Sequence, residues 1–173
     1  MTKNQTHADK HQARTDLTGE HKLGDAGQIA LACLFLLIWT ADSFFLKYTT
    51  MLNHYVPFGI RMLFGVVFLV LSGYLAKTGL SIVFGEKREK PHVIRKGVFG
   101  IVRHPIYLGE ILFYVGLLMM SISLASAVVL LAAILFLQFI SRYEEQLLLE
   151  RFGEEYSDYM HDVPMLMPHF RKR

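Results

Sequence analysis

One cysteine stands in 173 residues, and its solitude excludes two things at once. Cys33 can close no internal disulfide and can build no cysteine-rich metal centre; inside an apolar run it reads as a small buried residue. Charge is scarce too. Asp, Glu, Lys and Arg make up 19% of the chain against 53% hydrophobic residues, and the mean hydropathy is +0.33. A soluble domain carries more charge, about 25%. No glycine-rich loop opens a βα unit. The Gly-Val-Phe-Gly run at 97–100 is a turn, neither a dinucleotide fingerprint nor a P-loop. Nor do aromatics interleave a basic stretch, so the pI of about 9.0 is not a nucleic-acid signal. His7 and His11 have the i, i+4 spacing of a metal pair. A polar tail offers them no outer shell, and no metal site is expected.

What is present is grease in long runs. Gln28–Leu46 and Val56–Ala76 approach the roughly 20 residues that cross a bilayer core. Ile106–Ser121 and Leu124–Ile140 are shorter and nearly contiguous, which predicts a tight helical hairpin whose second arm continues into water. The fold class expected is all-α: a polytopic transmembrane helical protein of about four spans. It forms one unit over 27–173, after a polar tail over 1–26. Met1–Asp25 holds four Lys/Arg, four Asp/Glu and three histidines. Such a segment buries too little to order itself, and about 25 polar residues ahead of the first apolar run do not make a secretory signal.

Positive charge sets the orientation. The Lys77–Arg103 stretch has seven Lys/Arg and two acids, the tail four and the part from Ser141 onward five. Both termini and the 77–103 loop are therefore expected in the cytoplasm, in a bacterial-type plasma (inner) membrane. The lipid bilayer is the partner expected, with the basic loop and Arg171–Arg173 near headgroups. Asp42, inside the first span, is either functional by position or an interfacial residue beside Ser43 and Lys47.

Polar groups then gather on the expected cytoplasmic side. Arg103, Tyr107, Glu110 and Tyr114 recur at helical spacing at the mouth of the third span. Pro105 suits a first helical turn and puts His104 at the helix start. Gly109 and Gly116, seven apart, let a neighbouring helix or ligand approach the backbone. Gln138, Arg142 and Glu145 share a face where the fourth span leaves the membrane, next to Glu144. An acid pair can be a solvated helix end, Arg103 a topology charge, and Tyr107 and Tyr114 interfacial anchors. A hairpin, however, brings the two polar groups to one cytoplasmic pocket, suited to a ligand with a cationic centre. Tyr156 and Tyr159 are expected to pack the segment after Gly153 onto the membrane face, and Pro164 and Pro168 to end helical structure.

The stretches "VIRKGVFGIVRHPIYLGE" and "EEQLLLERFGEEYSDYMHDVPMLMP", within residues 91–168, resemble the isoprenylcysteine carboxyl methyltransferase and phospholipid methyltransferase family. That family's ordered set is Arg-His-Pro-x-Tyr-x-Gly, a hairpin, Glu-Glu, Phe-Gly-x-x-Tyr-x-x-Tyr and a final Val-Pro. The resemblance implies an integral membrane enzyme that takes methyl groups from S-adenosylmethionine to a lipophilic or lipid-linked acceptor, by carboxyl O-methylation or amine N-methylation. It implies cofactor contacts from Val93 and Ile94 through their backbone, from His104, Pro105 and Tyr107, and from Glu144. Phe99 occupies a usual tyrosine position. Ile140 stands where an arginine for the acceptor carboxylate often lies, and Arg142 is two residues away. Glu145 and Arg142 are the catalytic candidates, with Glu110 an alternative base. Part of the same signal, Arg-His-Pro-x-Tyr-x-Gly-Glu, resembles NADPH-dependent sterol-type membrane reductases. A non-enzymatic four-helix membrane protein is the third reading.

Overall fold

The structure, a computed structural model, describes residues 22–85 and 92–168. His7, His11, the centre of the basic loop and Arg171–Arg173 lie outside the described residues. Helix α1, Lys22–Thr40, runs on as a π-helical turn, Ala41–Leu46. A 3-10 turn, Met51–His54, leads to α2, Phe58–Phe84. A second 3-10 turn, Gly97–Gly100, precedes α3, Pro105–Ser121, then α4, Leu124–Phe152, and the short α5, Glu154–Asp162. Among the described residues there is no strand.

Three segments, Gly24–Leu46, Phe58–Phe84 and Leu124–Phe152, are long and apolar enough to cross a membrane. Helix α3 has 17 residues, about 26 Å at 1.5 Å per residue, slightly less than the roughly 30 Å hydrocarbon core. This is the architecture of an integral membrane protein, with three full-length spans and one shorter apolar helix. The second helix exceeds its expected bounds by eight residues, because Lys77 and Thr78 interrupt the apolar run without breaking the helix. That extra length carries Leu80, Val83 and Phe84 to the functional end.

The expected hairpin exists: Ile122 and Ser123 join α3 to α4. Yet α3 packs most closely on α2, not on α4. Gly65, Ser72 and Gly79 repeat every seven residues along the buried face of α2, opposite Gly109 and Gly116. A Cβ on Gly116 would lie 3.0 Å from the Gly65 carbonyl oxygen, and one on Gly109 3.2 Å from that of Ser72. With no hydrophobic effect between helices in lipid, this backbone-to-backbone approach is what binds them. Helix α1 covers the other side, where Phe35, Tyr114, Val129, Leu130 and Ala133 form the core. The Phe35 and Tyr114 rings sit 4.6 Å apart. Trp39 donates its indole N–H to the Leu117 carbonyl at 2.8 Å and meets Phe44 edge-on.

At the end away from the basic loop, Asp42 is only 4% exposed. Its carboxylate accepts from the Thr49 amide at 3.1 Å, from the Thr49 hydroxyl, and from Ser123 at 2.6 Å. Thr49 in turn caps α4, accepting from the Ala125 amide at 3.0 Å. Arg61 donates to Asn53 and to the Met120 carbonyl at the end of α3. Asp42 thus ties the connection between α1 and α2 to the start of α4, which is a structural reason for an acid in this span.

Candidate active site

The opposite end is where α1 and α3 begin and α2 and α4 finish, and there the helices part around a cavity of about 490 Å³. That size suits a small-molecule ligand. Its organising element is the entry to α3. Arg103 and His104 are not yet helical. Their backbone N–H groups donate to the carbonyls of Pro164 (2.9 Å) and Met165 (3.1 Å), so the segment after α5 lies alongside the Arg-His-Pro stretch. Pro105, with no amide to lose, then starts the helix.

Four side chains lock α3 to α4. Arg103 Nε donates to Glu145 Oε1 at 2.6 Å, while its Nη1 donates to the carbonyls of Met160 (2.9 Å) and Val163. His104 places Nε2 3.2 Å from Glu145 Oε1 and Nδ1 3.7 Å from Glu144 Oε2. Tyr107 stacks flat on His104, ring centroids 5.5 Å apart, and donates its hydroxyl to Glu144 Oε1 at 2.5 Å. Gln28 of α1 hydrogen-bonds the same hydroxyl. The adjacent acids are divided in this way. Glu145, 5% exposed, is saturated behind the site by Arg103 and His104. Glu144 faces the cavity, oriented by Tyr107 and close to His104.

Val93, Ile94, Phe99, His104, Pro105, Tyr107 and Glu144 all line this cavity. Glu145 does not, and neither does Arg142, which is exposed on another face of α4. The arginine beside Glu145 is Arg103. Sequence spacing had put Arg103, Tyr107, Glu110 and Tyr114 on one helical face, but the helix begins only at Pro105. Arg103 and Tyr107 turn to α4, while Tyr114 donates to Glu110 Oε1 at 2.6 Å next to α1.

Tyr156 and Tyr159 depart from expectation. Instead of packing on the membrane face, both are 3% exposed, cluster with Val93 and line the cavity. Tyr159 donates to the Phe99 carbonyl at 2.7 Å, and Arg95 stacks over its ring, 5.5 Å from the centroid. Val93 is fixed by its amide, which donates to Glu155 Oε1 at 3.2 Å. Burial raises the pKa of both tyrosines above the ordinary value, Glu145 adding to the shift at Tyr156, so their hydroxyls stay protonated donors. The i, i+3 spacing of "YSDY" was the signal, since it puts both rings on one face of a short amphipathic helix.

A methyl-donating sulfonium nucleoside fits these residues. A carboxylate and several aromatic faces suit its positive centre. The cavity has an apolar majority with few polar groups, as ligand pockets do. Among the described residues no cluster of His, Cys, Asp and Glu could hold a metal.

Comparison with known proteins agrees with the motifs. The chain is 33% identical over 116 residues to protein-S-isoprenylcysteine O-methyltransferase B of Arabidopsis thaliana, covering 61% of this chain and 58% of that protein. It is 31% identical over 143 residues to methanethiol S-methyltransferase of Mycobacterium tuberculosis, covering 83% and 50%. It is 28% identical over 134 residues to the isoprenylcysteine O-methyltransferase of Schizosaccharomyces pombe, covering 71% and 56%. The chain thus spans between half and three-fifths of the length of these relatives. No solved structure matches it. A family model described as phospholipid methyltransferase matches residues 54–155, from the start of α2 through the first turn of α5. With more than half of its length so matched, the chain belongs to the phospholipid methyltransferase family.

Proposed function

We propose that this protein is an S-adenosylmethionine-dependent membrane methyltransferase acting on a lipophilic or lipid-linked acceptor. The observation that carries the reading is Glu144, held at the cavity wall by Tyr107 and His104 while Glu145 braces the histidine from behind. When bound, the cofactor supplies an electrophilic methyl group on a positively charged sulfur. Glu144 would hold its cationic portion, and the walls formed by Phe99, Phe152, Tyr156 and Tyr159 its flat base. Val93 and Ile94 would bound the same pocket. Catalysis here is chiefly alignment and exclusion of water, because an in-line displacement gains most from a near-attack geometry. Neither Glu145 nor Arg142 reaches the cavity, so neither acts on an acceptor there. The cavity lies at the end of the molecule that carries the basic loop, which places it on the cytoplasmic side of a bacterial-type plasma membrane under the positive-inside rule.

The relatives described above are methyltransferases of oxygen and of sulfur, which disfavours a reductase or a non-enzymatic role. Calorimetric titration of the detergent-purified protein with S-adenosylhomocysteine, with NADPH in parallel, tests the reading. Saturable binding of the first is expected, weakened at least tenfold by Glu144→Gln and by His104→Ala. Binding of NADPH alone, or wild-type affinity in both variants, would overturn it.

A further inference from the structure

A second, smaller concavity lies between α1 and α3, lined by Gln28, Ile29, Ala32, Glu110, Phe113 and Tyr114. Gln28 also lines the larger cavity and bonds Tyr107 within it, so the two hollows share a wall. The groove is almost wholly apolar and opens beside Ile29, which is 65% exposed on the lipid-facing side of α1. Into this grease projects a single acid. Glu110 is half-buried, with Oε1 held by Tyr114 and Oε2 without a partner among the described residues. An intramembrane carboxylate of this kind is costly to keep without a task.

A second mark lies on α4. Ser141 is fully buried, and among the described residues its hydroxyl has no partner. Tyr107–Glu144 sets the antiparallel register of α3 and α4. One turn further along α3 is Glu110, and one turn back along α4 is Ser141. An unanswered buried hydroxyl therefore sits level with the unengaged carboxylate oxygen. Native interiors rarely leave such a group unpaired unless a ligand completes it.

The charges decide what the groove accepts. Arg103 is the only Lys or Arg among the described residues lining either hollow, and it is spent on Glu145 and two carbonyls. An acceptor carboxylate or phosphate would meet Glu110 with no cation to offset the repulsion. An ammonium would pair with Glu110, and that pairing would keep its lone pair protonated and unreactive. A neutral nucleophile with one removable proton meets neither obstacle.

Resting on the methyltransferase reading, we infer that Glu110 is the acceptor-side base and charge filter of this site, and that the acceptor is a lipophilic thiol. The acceptor sulfur forms a bond to the methyl carbon as that carbon's bond to the donor sulfonium breaks. The released electron pair stays on the donor sulfur, which becomes a neutral thioether. The thiol proton passes to Glu110 Oε2, and Tyr114 keeps the other oxygen in place.

The test uses the full chain in detergent, methyl-labelled S-adenosylmethionine, and three acceptors of equal chain length: dodecane-1-thiol, dodecylamine and dodecanoate. Label is expected on the thiol. Glu110→Gln should lower that rate at least a hundredfold and remove the acid limb of its pH profile, with Glu110→Asp recovering part of both. S-adenosylhomocysteine should bind Glu110→Gln as it binds the unaltered protein, which shows the variant is folded. A readout independent of turnover is titration of the S-adenosylhomocysteine complex with dodecanoate. The unaltered protein should bind it at least tenfold more weakly than Glu110→Gln. Label on dodecanoate or dodecylamine alone, label on none of the three, or an unchanged rate in Glu110→Gln overturns this inference while the cofactor reading stands. Absence of S-adenosylhomocysteine binding to the unaltered protein overturns both.

Discussion

Replacing Glu145 by glutamine removes one charge and almost no volume, which makes it the sharpest probe of how the two adjacent acids divide their work. Glu145 receives Arg103 at 2.6 Å and faces His104 at 3.2 Å. A hydrogen bond to a charged group contributes about 1.5–3 kcal/mol and a neutral one about 0.5–1.5. Two bonds losing their charge therefore cost about 2–3 kcal/mol. Arg103, with a side chain only 9% exposed, is also left facing two carbonyls and no anion. Breaking a buried pair from one side carries the total toward about 3–5 kcal/mol. Glu145→Gln should accordingly lower the thermal midpoint followed by circular dichroism well below that of the parent. Glu144→Gln should leave it nearly unmoved, since Glu144 lies at the cavity wall, while its S-adenosylhomocysteine affinity falls at least tenfold. The reasoning is refuted if the two variants exchange effects, or if Glu145→Gln melts with the parent.

The α2–α3 seam makes a second prediction. Gly116→Ala drives a Cβ to 3.0 Å from the Gly65 carbonyl, whereas Gly73 on α2 has nothing within 4 Å. Helix propensity favours alanine equally at both, so the difference in stability between the variants isolates the contact, about 1–3 kcal/mol against Gly116→Ala; equal melting would dismiss the seam. Asp42→Ala leaves Thr49 and Ser123 without their acceptor, and should cost stability while S-adenosylhomocysteine affinity holds; lost affinity at an unchanged midpoint would reverse that assignment. Tyr156 and Tyr159 have raised pKa values, so above about pH 10 the unfolded chain loses these protons before the folded one. Stability should fall as pH rises past that point, and Tyr156→Phe should reduce the slope measured between pH 9 and 11.

Hydropathy made the helices legible, because a membrane demands an apolar run whatever the tertiary partner. It did not make their ends legible: Lys77 belongs to α2 because a helix can leave the lipid without stopping. The cavity was legible through the ordered motifs, and the lining by Val93, Ile94, Phe99, His104, Pro105, Tyr107 and Glu144 follows from where they stand in the chain. The pairing of Arg103 with Glu145 was not. Helical spacing assigns faces only inside a helix, and Arg103 sits on an extended lead-in fixed by the Pro164 carbonyl. Arg142, on the α4 helix near Glu145 in sequence, points elsewhere because neighbours two or three apart need not share a buried side. Tyr156 and Tyr159 were read as membrane-facing because nothing in the sequence shows the segment around Val93 waiting to cover them.

The lone tryptophan, bonded through its indole to the Leu117 carbonyl, gives the molecule a built-in optical gauge. All indole emission from this chain originates between α1 and α3, at the level of the far end rather than of the cavity. Its wavelength should hold still while ligands come and go, and shift to the red only when the first helix lets go of the third. A bulk fluorescence trace of this protein is therefore a record of one interhelical joint.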